Sequence, residues 1–208
     1  GRYRPTGLAE HADPVRDEAS YSRQPLSELE PVPTGQPMLL LVHGDDLCVP
    51  QFVAEDLPLA GLVVANGGHR QAPWPFGDKA AAFLDHAVDD AVERLGGQSG
   101  LDACRIEGLD ADRIADQASA AGVGSVLTSE APVGPLADGL ARLETELAER
   151  GLALHRLRRD WDHQAWPHAV KGFFPFKKQI PTLLDKAGLG RSESERDQHQ
   201  RQAQDDQQ

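Results

Sequence analysis

The chain has 208 residues, long enough for one full α/β domain, and 33 Asp and Glu against 21 Lys and Arg give it a formal charge of −12. That balance excludes a surface that grips nucleic acid by phosphate neutralisation alone, so any DNA contact is expected from another domain. No apolar run reaches membrane-spanning length, Cys48 and Cys104 lack CxxC spacing, and no apolar leader opens the chain, which points to a cytoplasmic protein without a disulfide framework or zinc site.

Residues 9–37 carry Pro14, Pro25, Pro31, Pro33 and Pro37 among scattered Glu, Asp and Ser, a composition that buries too little apolar surface to offset its ordering entropy. A linker is expected there. Met38-Leu39-Leu40-Leu41-Val42 is a short apolar run ended by His43-Gly44-Asp45-Asp46, as for a strand buried on both faces of a parallel sheet. A short helix is expected over 50–57, then a second buried strand from Leu59 to Ala65, closed by Asn66-Gly67-Gly68. From 78 to 95 the apolar positions Leu84, Val88, Ala91, Val92 and Leu95 recur at helical spacing, and Gly96-Gly97 is expected to stop the run. Ala103-Cys104-Arg105-Ile106 reads as a third strand. Asp110 then caps a helix bearing Ile114, Ala115 and Ala118 that ends near Gly122. Ser125-Val126-Leu127-Thr128 makes the fourth strand. In the next helix Leu136, Leu140, Leu143 and Leu147 form one stripe, with Arg142, Glu146 and Arg150 opposite and Gly151 at the end. Ala153-Leu154-His155-Arg156-Leu157 is strand five, and both cysteines read as small buried residues.

Strands alternating with helices of this length imply an α/β fold: a Rossmann-like five-stranded parallel sheet with helices on both faces. It should occupy 38–188, between a disordered linker and a polar, disordered tail over 189–208. In such a sheet, ligands bind beyond the carboxyl ends of the strands, where strand order reverses. For the order 3-2-1-4-5, the crevice lies between the first and fourth strands. His43, Asp45, Asp46, Ser129 and Glu130 are therefore the candidate ligand-binding residues, although a polar loop after a buried strand accounts for the first three without a ligand. No GxGxxG, GxxxxGK[ST] or GxSxG follows any strand, so neither a phosphate cradle nor a nucleophile elbow is present, and no catalytic or metal-binding residue is assigned.

Residues 161–181 hold two of the three Trp and three of the six Phe of a chain that is only 5% aromatic. Trp161, Trp166, Phe173, Phe174 and Phe176 are expected to pack on the sheet edge or a neighbouring domain, each burying a large apolar area. With Lys171, Lys177 and Lys178 they could instead line a planar-ligand pocket or a docking face for a second domain.

Four segments carry a resemblance: Phe83-Leu84 through Leu95, Gly108 to Val126, Leu140 to Leu154, and Asp162 to Ile180 with its Lys171-Gly172-Phe173-Phe174-Pro175-Phe176. Together they resemble the α/β domain of the photolyase and cryptochrome flavoproteins. The opening Gly1-Arg2-Tyr3-Arg4-Pro5-Thr6-Gly7-Leu8 is similar to the end of the helical FAD-binding domain in a bacterial photolyase-like group with reversed domain order. On that resemblance, 1–37 is a linker and the end of a preceding domain, and the chain is the carboxyl-terminal piece of a longer protein. The resemblance implies an antenna-type domain that packs on the FAD-binding helical domain and holds a pterin, deazaflavin or lumazine chromophore. FAD and any DNA belong to that other domain, and the parent activity is light-driven repair of pyrimidine dimers (a deoxyribodipyrimidine photolyase) or blue-light sensing. This piece is not expected to be catalytic alone. The first strand runs into His43-Gly44-Asp45-Asp46-Leu47 where the family has an Arg-Asp-Leu-Arg segment, so no ligand residue transfers and the candidates rest on strand-end placement. The alternatives are a stand-alone small-ligand or nucleotide-binding module and a ligand-free structural domain.

Overall fold

The computed structural model describes residues 25–49, 57–66 and 76–189. Five strands, β1 (Met38–His43), β2 (Leu59–Asn66), β3 (Ala103–Glu107), β4 (Ser125–Ser129) and β5 (Ala153–Leu157), form one sheet in the order β3-β2-β1-β4-β5. Every pairing is parallel. The parallel α/β architecture is the one expected from the alternation of apolar runs and helical periods, and the strand order is the one on which the crevice between β1 and β4 was premised.

Period-two alternation sorts the strand residues onto two faces. Leu39, Leu41, Val63 and Ala65 pack against Ile114 and Ala118 of α2 (Ala111–Ala121) and against Leu140, Leu143 and Leu147 of α3 (Pro135–Glu149). Met38, Leu40, Val42, Leu62 and Val64 pack against Val88, Ala91 and Leu95 of α1 (Asp78–Ser99) on the other face. β1 is central and buried at all six positions, which is why its sequence is continuously apolar rather than alternating. Gly61 of β2 stands beside its register partner Leu39 of β1: a Cβ there would lie 2.8 Å from Leu39 Cδ1, so a larger residue requires that buried side chain to shift.

Caps fix both ends of α2. The Asp110 carboxylate accepts from the Asp112 and Arg113 amides at 3.0 Å and starts α2. Left-handed Gly122 (φ 68°) ends it. α1 differs from expectation, running through Gly96-Gly97 to Ser99 and stopping at left-handed Gly100 (φ 67°), whose amide donates to the Gly96 carbonyl at 3.0 Å. The physical reason is packing. The last turn lies against the chain entering β3, where a Cβ at Gly96 would be in contact with the Leu101 carbonyl oxygen at 3.4 Å and with Ala103.

Beyond β5 the chain forms α4 (Asp160–Ala165), a 3-10 turn (Trp166–His168), α5 (Phe173–Lys177) and α6 (Ile180–Lys186). Ala165 and Leu183 anchor this segment in the core, at 5% and 1% exposure. Of its rings, Trp166 and Phe176 are half-buried. Trp161, Phe173 and Phe174 are exposed, because Ala165 and Leu183 occupy the inward positions. Residues 25–37 have no regular structure, yet Val32 packs on the α1-side core and Arg158 donates to the Ser27 carbonyl at 2.9 Å, so this stretch is tied down more than its composition implies. Both cysteines also depart from expectation: Cys48 is exposed and Cys104 half-buried, since neighbouring Val49 takes the inward position in the first case. The expected helix over 50–57, all but Leu57, and the tail beyond 189 lie outside the described residues, as does the glycine pair after β2.

Candidate functional site

β1 and β4 are neighbours although 82 residues of sequence separate His43 from Ser125, and their carboxyl ends open side by side. His43 is the last residue of β1 rather than part of the loop, and it is fully buried. Its Nε2 lies 3.0 Å from Ser129 Oγ and 3.1 Å from the Ser129 carbonyl oxygen, tying the two strand ends together. A serine and a histidine at that distance suggest a nucleophile and its base. Here the imidazole Nδ1 has no hydrogen-bond partner among the described residues, so none of their carboxylates orients the ring as a triad requires. The pair is a strand tie.

All five candidate residues, His43, Asp45, Asp46, Ser129 and Glu130, border one cavity of about 180 Å³. Arg159 and Asp162, which were not among the candidate residues, form its far wall with Trp166. β5 lies beside β4, so the turn after Leu157 arrives at the same crevice, and Arg158-Arg159 follow at once.

Two ion pairs fasten this wall to the strand ends. Arg158 grips Glu130 with two hydrogen bonds, one of 2.8 Å from Nη2 to Oε1 and a second from Nε to Oε2, with side chains only 6% and 13% exposed. The fork-to-fork geometry satisfies both charges where water cannot. It holds the Arg158 guanidinium above its ordinary pKa, Glu130's hydrogen bond outweighing burial. The same guanidinium stands 5.9 Å from the Trp166 ring centroid, a cation–π contact. Arg159 pairs with Asp46, whose carboxylate also accepts from the Cys48 amide at 3.2 Å. Asp162 is left over. Burial, helped by the charges of Asp46 and Glu130 and opposed by Arg159 and Arg158, raises its carboxyl above the usual range.

Trp166 also walls an apolar groove of about 1030 Å³ on its other side, completed by Leu26, Ala131, Pro132, Val133 and Val170. Clefts that take cofactor-sized ligands measure about 300–1,000 Å³. The cavity is thus too small for such a ligand by itself, and the groove across Trp166 has the room. A second polar cluster, unforeseen in the sequence, sits at the end of β2: Arg105 bridges Asp85 and Glu107 at 2.9 Å each and pairs with Asp89, while buried Asn66 donates to Asp85. Among the described residues no three His, Cys, Asp or Glu side chains converge as metal ligands, and no helix is long and apolar enough to cross a membrane. Compared with known proteins, the chain matches no family model and no curated sequence.

Proposed function

We propose that this chain is the α/β, antenna-type domain of a photolyase- or cryptochrome-like flavoprotein, and that it packs on a FAD-binding helical domain through the segment after β5. The observation that carries this reading is exposure of large rings on ordered elements. Trp161 is 41%, Phe173 61% and Phe174 78% exposed, and all three sit in α4 and α5 rather than in a loose tail. Exposed apolar bulk of this kind marks a surface built to be covered. The groove and the cavity across Trp166 are the proposed place for an accessory pterin, deazaflavin or lumazine. Light-driven pyrimidine-dimer repair or blue-light sensing then belongs to the assembled protein in the cytoplasm, with FAD and DNA held by the helical domain, since a chain of charge −12 is a poor match for phosphates.

Co-purification tests the docking. The 208-residue chain should retain a flavin-loaded helical domain on a column, and Trp166→Ala or Phe174→Ala should release it; retention undiminished in both variants refutes the docking. A near-ultraviolet absorbance band in the purified complex beyond that of FAD would identify the antenna. A second reading, a free-standing small-ligand module, draws on the convergence of His43, Asp46, Glu130 and Asp162 on one cavity. Calorimetric titration of the chain alone with nucleotides separates it from the first.

A further inference from the structure

α5 and its flanks carry a charge unlike the rest of the chain. Four of the five lysines, Lys171, Lys177, Lys178 and Lys186, fall between residues 169 and 189, where Asp185 is the only acid. The same stretch exposes Phe173 and Phe174, whose rings meet edge to face with centroids 5.7 Å apart. The backbone that carries them is ordered. Gly172 turns the chain at φ 82° into α5, the Phe176 carbonyl accepts from the Gln179 amide at 2.8 Å, and Leu183 pins α6 to the core.

We propose that this basic, aromatic face selects the partner: it fits a protein surface with an apolar socket for Phe173 and Phe174, rimmed by carboxylates that meet Lys171, Lys177 and Lys178. The inference rests on the docking reading and names the partner surface as an acidic face of the FAD-binding helical domain. Large apolar rings that become covered on binding supply affinity. Lysines at the rim add little affinity but steer encounter and set register. A nucleic acid or an anionic bilayer also offers negative charge, but over an extended surface that the chain's net −12 opposes. A protein rim presents its carboxylates only where the three lysines stand.

The test titrates the full chain against the flavin-loaded helical domain over a range of salt. The triple variant Lys171→Glu/Lys177→Glu/Lys178→Glu alters exposed side chains only, and circular dichroism confirms that it is folded. Its Kd should weaken by about tenfold or more and lose most of its salt dependence. Phe174→Ala should weaken binding equally at low and high salt. If charge reversal changes neither Kd nor its salt slope, or tightens binding, the acidic-partner inference fails while the docking reading stands. If the unsubstituted chain does not bind the helical domain, both fail. Binding of a labelled oligothymidylate or of anionic vesicles by the chain alone, abolished in the triple variant, would assign the face to a different partner and overturn the inference.

Discussion

Asp162 is the side chain whose surroundings are least reconciled with its charge. Its folded-state pKa lies above the ordinary carboxylate value, so the folded protein holds this proton more tightly than the unfolded chain does. Asp162 therefore imposes no penalty in acid, and as pH rises through the carboxylate range the charged form progressively subtracts stability. Asp162→Asn should raise the Tm at neutral pH, and that gain should vanish as the pH falls below the carboxylate range. Paired melting curves at neutral and acid pH check this; an equal gain at both would mean that burial of charge is not the cause. At this scale the sequence was a partial guide. It marked His43 as polar and near a strand end, but nothing local to the chain reports that the imidazole is swallowed whole by a contact with Ser129, 86 residues away.

Helices and strands were the most readable level, because periodicity and caps are local signals. The leucine stripe of α3, the Asp110 cap and the continuous apolar run of β1 each follow from one short stretch of residues. The overrun of α1 past Gly96-Gly97 was hidden for the opposite reason: whether a glycine ends a helix or merely thins it depends on what lies against it. Two substitutions draw out that distinction. Gly97→Ala, at an exposed helical position with open space around it, should stabilise by about 0.5–1 kcal/mol through lost backbone freedom in the unfolded chain. Gly61→Ala should destabilise by about 1–3 kcal/mol, since the new methyl group collides with Leu39 in a packed layer. Urea unfolding midpoints measure both, and a neutral Gly61→Ala would show that the layer can relax.

Taken whole, the molecule is a centre-out sheet; that it is parallel was legible because strands and helices alternate, whereas alternation alone leaves the order of the strands open. The order β3-β2-β1-β4-β5 leaves β1 with a neighbour and a helical layer on every side. Amide exchange should accordingly be slowest over residues 39–42 and faster in β3 and β5, the two edge strands. Mass-spectrometric exchange measures the ranking, and uniform protection across the sheet would contradict it. The outward stance of Phe173 and Phe174 was not legible, for aromatic composition predicts burial without saying against which molecule. The bond from Arg158 to the Ser27 carbonyl spans 131 positions of sequence and ends on the same guanidinium that clasps Glu130 and faces Trp166. The polypeptide leading into the sheet is thereby stitched to the floor of the crevice, so a tug on that lead-in strap and the arrival of a guest beside Trp166 are felt by one and the same side chain.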